Sequence, residues 1–160
     1  MAKPDGAAAL VLVGSAVPLH PEETLFEAML EGWRHQHTAR RLSPSVIAQR
    51  QRIVRRFTEF TAWWPWQWRA EQLDAFVAEG RWAHSTVRAY QGSIAALLDY
   101  LCDPRYGWAN ECRHRVAAIP VQICHEDNRA VHVADYEARP GRRPFTRDEL
   151  QALFDVATRR

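Results

Sequence analysis

The sequence predicts an all-α fold, and three observations support this prediction. Apolar residues recur at steps of three and four over several long stretches, the spacing that gives a helix one buried face. Short segments rich in proline, serine and glycine separate these stretches, and no stretch alternates apolar and polar residues as a strand would. With 160 residues, 47% of them hydrophobic, the chain can bury a core, so we predict a bundle of four to five helices. The predicted core includes Phe26, Trp33, Ile53, Phe57, Phe76, Ile94, Leu97 and Leu101.

The sequence pattern of the N-terminal part predicts a flexible arm followed by two helices. We expect residues 1–20 to form a flexible arm, because their apolar run is too short for a signal peptide. A first helix is predicted to begin near Pro21, since proline followed by acidic residues favours a first helical turn. Ser43 is the predicted N-cap of the second helix, with Pro44 in its first turn. The outer face of that helix carries arginines that indicate either a phosphate-binding strip or a merely solvated face: Arg52, Arg55 and Arg56.

Four tryptophans within six residues end the second helix. They are Trp63, Trp64, Trp66 and Trp68. Because Pro65 cannot continue a helix and each indole buries a large apolar area, we predict a hydrophobic plug that closes one end of the bundle. Base stacking and contact between protomers are the alternatives. A short third helix is predicted from Arg69 to Glu79, with Gly80 as its C-cap.

A fourth helix is predicted to bury one face and to leave the other open. Ser85 or Thr86 is its predicted N-cap. Its apolar face is formed by Val87, Tyr90, Ile94, Leu97, Leu98 and Leu101. The opposite face carries Arg88, Gln91 and Gly92, which are a cation, an amide and a residue without a side chain. This face is predicted to let an anionic partner approach the backbone, and an incidental glycine is the alternative.

The residues that follow the fourth helix indicate a domain boundary. We assign residues 21–118 to the helical domain, which ends with a short helix near residues 111–118. Residues 119–143 form an irregular segment that ends in a basic, turn-rich linker. The basic residues of this linker are Arg139, Arg142 and Arg143.

A new helix is predicted in residues 144–160. Thr146 is its expected N-cap, and Glu149 occupies the capping-box position three residues later. No later segment of the sequence could pack against the apolar stripe of this helix. We therefore interpret the helix as the first of a truncated second domain. The stripe includes Leu150, Leu153 and Phe154.

Four segments together resemble one known family. They are PWQW at 65–68, STVRAYQ at 85–91, YLCDPRYGW at 100–108 and RPFTRDELQALF at 143–154. In their order and spacing they resemble the tyrosine recombinases, or phage-type integrases. The resemblance covers residues 22–138 as a SAM-like core-binding domain, followed by the opening of a catalytic domain. It implies a C-shaped clamp in which the two domains grip the DNA from opposite faces and a basic linker joins them.

The resemblance implies that the chain binds double-stranded DNA, with protomer–protomer contacts on that DNA. The helices that begin at Ser45 and Ser85 would face the major groove, and the linker would cross the backbone. The predicted DNA-binding residues are Arg52, Arg55, Arg56, Ser85, Thr86, Arg88, Gln91, Arg139, Arg142 and Arg143. Lys3 is the only lysine, and arginine suits such contacts because its planar fork matches phosphate and guanine, although a GC-rich genome also favours it.

No catalytic residue is predicted. By resemblance, the nucleophilic tyrosine and its arginine, lysine and histidine partners belong to a catalytic domain beyond residue 160. The tyrosines of this chain all precede that domain: Tyr90, Tyr100, Tyr106 and Tyr136. We therefore expect a fragment of a recombinase of mobile elements that binds DNA weakly, cuts none, and uses no cofactor or small-molecule substrate.

Two other functions remain open from the sequence. A zinc-stabilised module would use Cys112, Cys124, His125 and His132, although these residues include no CxxC or HxxxH pair. A helical protein-interaction module would use the tryptophans. No apolar run is long enough for a membrane span, and three cysteines without a secretion signal favour the cytoplasm.

Overall fold

The computed structural model describes residues 19–131 and 145–151, and the described residues form helices and loops without any β-strand. The prediction of an all-α helical bundle is therefore confirmed. The five α-helices are α1 (Pro21–Ala39), α2 (Pro44–Thr61), α3 (Ala70–Glu79), α4 (His84–Cys102) and α5 (Trp108–Val116). Two single-turn 3-10 helices lie at Pro65–Gln67 and Glu126–Asn128. The described residues up to Ala130 belong to one compact unit, and the described residues from Val131 onward belong to a second.

The starts of the first two helices agree with the sequence prediction. Pro21 is the first residue of α1, and the carbonyl of His20 accepts a hydrogen bond from the Thr24 amide at 3.0 Å. The Ser43 hydroxyl accepts from the Val46 amide at 3.4 Å, so Ser43 caps α2 as expected.

The start of α4 differs from the prediction. Ala83 is its N-cap, and the Ala83 carbonyl accepts hydrogen bonds from the Thr86 and Val87 amides. Ser85 and Thr86 therefore lie inside the first turn, and the prediction that one of them caps the helix is wrong. No side chain caps this helix, which shows that the backbone turn alone is sufficient to begin it here.

Helices α2 and α4 form the centre of the bundle, since α4 packs against α1, α2 and α5 and α2 packs against α1, α3 and α4. The α4 residues Ile94, Leu97 and Leu101 are all fully buried. Every residue predicted for the core is at least nine-tenths buried, which confirms that prediction. The aromatic part of the core centres on Phe57, whose ring meets Trp68 at 4.7 Å and Phe76 at 5.1 Å between centroids.

The tryptophan segment closes the bundle only in part. Trp66 and Trp68 are buried and Trp64 is half-buried, as a plug requires. Trp63 is instead 50% exposed. The left-handed backbone of Ala62 ends α2 and turns the chain, so that neighbouring tryptophans point in different directions.

The segment after α5 packs along α4, and we call residues 119–130 the strap. Gln91 of α4 fastens it, because its Nε2 donates to the Asn128 carbonyl at 2.7 Å and its Oε1 accepts from the Ala130 amide at 2.8 Å. Ile123 and Cys124 of the strap are buried. The compact unit thus continues past residue 118, where the sequence suggested that the helical domain ends.

The described part of the second unit is short. Residues 147–151 are helical. The Thr146 amide donates to Glu149 Oε2 at 2.9 Å, and the Glu149 amide donates to Thr146 Oγ1 at 3.4 Å. This reciprocal pair is the predicted capping box. The predictions for the arm at residues 1–18 and for the end of this helix fall outside the described residues.

We expect Gly80 to be intolerant of alanine and Gly92 to tolerate it. Gly80 is the C-cap of α3, as predicted, but its backbone is right-handed, so the conformation that favours glycine is not what it supplies. A Cβ at position 80 would overlap the indole of Trp82, which packs against Phe76 and Tyr90. Gly80→Ala should therefore lower the free energy of unfolding by about 1–3 kcal/mol, as overpacking does.

Gly92→Ala is the matched control, because a Cβ at position 92 would meet no atom within 4 Å. Alanine is the better helix former, so this variant should raise the free energy of unfolding by about 1 kcal/mol. Urea unfolding followed by circular dichroism compares both variants with the parent. Equal stabilities for the two variants would contradict the assigned role of Gly80.

Candidate functional site

The candidate site lies on the outer side of helices α2 and α4, which pack against each other. We call it the α2–α4 face. Arg52 on α2 and Arg88 on α4 are both exposed. Within the described ranges neither makes a hydrogen bond or an ion pair, so their charges are available to a ligand.

Arg56 also lies on the α2–α4 face, and its position is fixed. Its guanidinium lies 5.1 Å from the ring centroid of Trp82 and donates to the Tyr90 hydroxyl at 3.0 Å. Neither partner is an acid, so no carboxylate offsets the positive charge of the guanidinium. The two contacts nevertheless hold the side chain in one place. A preordered cation of this kind loses less conformational entropy when it binds phosphate.

Arg55 points away from this face, towards α1. Its guanidinium forms an ion pair with both carboxylate oxygens of Glu27, with Nη2 and Oε2 at 2.8 Å. This bond lowers the pKa of Glu27, chiefly through the hydrogen bond from Arg55. The three arginines of α2 therefore do not form one strip. Arg55 is engaged in a partly exposed ion pair with Glu27 on the α1 side, and its assignment to the same phosphate-binding strip as Arg52 and Arg56 is corrected.

Gln91 is the second correction. The sequence suggested that its amide reads DNA from an open face, but the side chain is only 5% exposed. Both of its polar ends are bonded to the strap, at Asn128 and Ala130. It cannot reach a base edge without releasing the strap. Arg88 and Gly92 are exposed, since they lie about one helical turn from each other and are rotated about 60° and about 100° around α4 from Gln91.

A shallow groove of about 320 Å³ runs between the two helices. Its lining residues are Val46, Gln49, Arg50, Ile53, Arg88, Ala89, Gly92 and Ser93. Because Gly92 has no side chain and faces open space, a ligand in this groove can come close to the backbone of α4. This agrees with the predicted use of the glycine.

Sequence reasoning missed Arg50, which lines this groove and is half-buried. Its Nη1 lies 3.0 Å from Nε2 of His37, a buried residue of α1. The signal was its spacing, since Arg50 is three residues before the buried Ile53 and three after the buried Ile47. An arginine on the inner side of a helix needs a partner in the core, and His37 supplies it.

The other predicted site residues lie at the edge of the face or outside the described part. Ser85 is exposed and Thr86 is half-buried in the first turn of α4. The linker arginines, which are Arg139, Arg142 and Arg143, lie outside the described residues.

No family model, characterised protein or solved structure matches this chain. The resemblance to tyrosine recombinases, including the SAM-like type of bundle, therefore stays a prediction. None of the described helices combines the length and the apolar character that crossing a membrane requires.

Three tyrosines are described, and each hydroxyl has a partner inside the bundle. The hydroxyl of Tyr100 accepts from Trp108 Nε1 at 2.8 Å, and burial raises the pKa of Tyr100 well above its usual range. The hydroxyl of Tyr106 accepts from Gln36 Nε2 at 3.0 Å, and that of Tyr90 accepts from Arg56. Tyr136 lies outside the described residues.

The candidate zinc ligands are not assembled in the part of the chain that the structure describes. Cys112 and Cys124 are buried, and burial raises their pKa to about 12 and about 11. A protonated thiol is a poor metal ligand. Among the described residues no three His, Cys, Asp or Glu side chains group around a common point, and His132 lies outside them.

Proposed function

We propose that this chain binds double-stranded DNA through the α2–α4 face, as the core-binding domain of a tyrosine recombinase. The observation that carries the proposal is an open groove lined by Arg50 of α2 and Arg88 of α4, with two further exposed arginines on α2. Arg52 and Arg56 stand on α2, and Arg88 stands on α4 beside the side-chain-free position of Gly92. Phosphate oxygens are the ligand that such a set of guanidiniums suits best.

Arg50 extends this proposed interface. It lines the groove while its guanidinium is bonded to His37, so it presents a cation from a fixed position. Arg88 has no such anchor, and a long, free guanidinium at the mouth of the groove can reach a base edge. We assign phosphate binding to Arg50, Arg52 and Arg56, and base reading to Arg88.

We further propose that the described part of the chain contributes binding and no strand cleavage. Covalent catalysis on DNA by a tyrosine needs an accessible hydroxyl that can lose its proton. Tyr100 is buried with a raised pKa, and the hydroxyls of Tyr90 and Tyr106 are bonded to side chains of the bundle. The expected site of action is DNA in the cytoplasm, where the three free thiols would remain reduced.

Arginine-to-alanine variants test the proposed interface. Arg52→Ala should weaken binding to every duplex about tenfold and reduce the slope of log K against log salt by about one, whereas Arg88→Ala should change which duplex sequence is preferred. Fluorescence anisotropy with labelled duplexes of different sequence across a salt series measures these quantities. The parent should bind in the non-specific range, on the order of 10⁻⁴–10⁻⁶ M at physiological salt.

Arg113→Ala is the matched control. Arg113 is an exposed arginine of α5 that does not line the α2–α4 groove, and it donates to Asn110 Oδ1 at 3.1 Å. Its loss should leave affinity and salt slope unchanged. If Arg52→Ala and Arg88→Ala bind like the parent, the α2–α4 face is not the interface. If the parent itself shows no salt-dependent binding, the proposal of DNA binding is wrong.

A further inference from the structure

A second concave surface lies near Trp63, where α1 and α2 meet. We call it the Trp63 groove, and its volume is about 350 Å³. It is lined by Glu23, Phe26, Glu27, Arg55, Glu59, Trp63 and Trp64, together with Thr58 and Ala62. It differs from the α2–α4 face in both its residues and its charge.

Trp63 is an exposed aromatic side chain on a rigid backbone. Its carbonyl accepts from Trp68 Nε1 at 2.9 Å, and its amide donates to Thr61 Oγ1 at 3.2 Å. The residue is nonetheless 50% exposed. An exposed indole on a backbone fixed by these bonds offers apolar contact area and a π-face to a ligand.

The charge of the groove is negative. Three carboxylates, those of Glu23, Glu27 and Glu59, line it, against the single guanidinium of Arg55. Arg55 is paired with Glu27, so the carboxylates of Glu23 and Glu59 remain without an ion pair among the described residues. Glu59 also attracts Arg55 electrostatically, but the three carboxylates still outnumber the one guanidinium. Aromatic walls beside this net negative charge suit a cation that carries apolar groups.

The groove already binds one guanidinium of its own in this manner. Arg55 lies between the carboxylate of Glu27 and the ring of Phe26, with its central carbon 5.9 Å from the ring centroid. Trp63 and Glu59 offer the same two kinds of group, a ring and a carboxylate, in the lining of the same groove. This internal example indicates which chemistry the remaining space can bind.

We propose that the Trp63 groove binds a basic peptide segment of a partner protein. An arginine or lysine of the partner would contact the ring of Trp63 and the carboxylates of Glu59 and Glu23. An apolar neighbour in the peptide would cover Trp64 and Phe26. DNA is not the ligand of this groove, because its phosphates would meet the same carboxylates. The inference is independent of the proposed function, since the two surfaces have different lining residues apart from the shared helix α2.

Calorimetry with a synthetic peptide of alternating arginine and leucine tests the inference. The same peptide with glutamate in place of arginine is the ligand control. The arginine peptide should bind, with an affinity that falls as salt is raised, and the glutamate peptide should not. Trp63→Ala should weaken binding at least tenfold, whereas Trp63→Phe, which keeps a ring, should stay within about threefold.

A charge-matched pair of variants locates the site. Glu59→Gln should weaken binding severalfold, while Glu71→Gln should leave it unchanged. Glu71 is exposed and lines a separate hollow on the other side of Trp63, so both changes remove one carboxylate near the same ring. Thermal unfolding of each variant checks that the bundle is intact. If Trp63→Ala does not fold, the peptide affinities of Trp63→Phe and Glu59→Gln test whether the Trp63 groove is the binding site.

Three outcomes would overturn the inference. The first is equal binding of the arginine and glutamate peptides. The second is a larger loss from Glu71→Gln than from Glu59→Gln, which would move the site to the other hollow. The third is self-association of the parent that depends on Trp63, seen by sedimentation without any peptide, because a second copy would then be the occupant.

Discussion

Replacing Leu97 with alanine is expected to lower the free energy of unfolding by about 2–5 kcal/mol. Leu97 is fully buried on α4, the helix that packs against α1, α2 and α5. Because neighbours from several helices surround this position, they cannot all move in to fill the space that the side chain leaves. A loss of this size is a large part of the 5–15 kcal/mol that typically stabilises a domain. Denaturant unfolding followed by circular dichroism measures it.

Leu19→Ala makes the same chemical change at a residue that is 95% exposed. We expect it to alter the free energy of unfolding by less than about half a kcal/mol. The comparison separates burial from any intrinsic effect of the substitution. A loss below half a kcal/mol at Leu97 would show that α4 is not at the centre of the core.

The bundle is expected to lose stability as the pH falls from 6.5 towards 4, because of His37. This residue is buried near the end of α1, and its pKa is lowered from 6.5 to about 4. Burial is the main cause, and the charges of Arg50 and Arg40 add to it. The end of a helix favours a cation by only about 0.3–1 kcal/mol, which is too little to reverse the shift.

The sign follows from the protonation of the two states. The unfolded chain binds a proton at His37 below pH 6.5, but the folded chain resists it down to about pH 4. The stabilisation is complete above pH 6.5 and is lost between these values. A shift of this size corresponds to about 3 kcal/mol over the whole window. Protonation would also oppose the contact between His37 Nε2 and Arg50 Nη1, which lie 3.0 Å apart.

His37→Gln tests this expectation, since glutamine offers Arg50 an acceptor that does not titrate. The free energy of unfolding of the parent should fall by about 2 kcal/mol more than that of the variant between pH 7 and pH 4.5. The pKa values of Glu27 and Glu31 are lowered, so their contributions are lost only at more acidic pH. Parallel pH profiles for parent and variant would rule out His37 as the cause.

The helices and the core could be predicted because their signals are local. Pro21, Ser43 and the Thr146–Glu149 pair act within one helical turn, and all of them occur where the sequence suggested. The core residues recur with the helical period, so no knowledge of their neighbours was needed. The start of α4 was harder to predict from the sequence. Ser85 and Thr86 are both suitable N-cap residues, but the helix begins earlier, with Ala83 as its N-cap.

The partners of polar side chains could not be predicted, because they come from distant parts of the chain. Arg55 pairs with Glu27 on α1, and Gln91 is bonded to Asn128 and Ala130 of the strap. Nothing near Arg55 or Gln91 in the sequence specifies these contacts. Helical spacing therefore predicts which residues share a face of a helix. Only the tertiary structure determines which of these side chains are left available to a ligand.

The strap also has a mechanical consequence. Gln91 bonds to both Asn128 and Ala130. A stretching force applied to the chain after Ala130 would therefore act on α4 at Gln91 before it acts on α5. The force would act on a helix that packs against three others, so the bundle would resist it as a whole. Tension from whatever follows Ala130 would thus be transmitted to the same helix that carries Arg88 and Gly92.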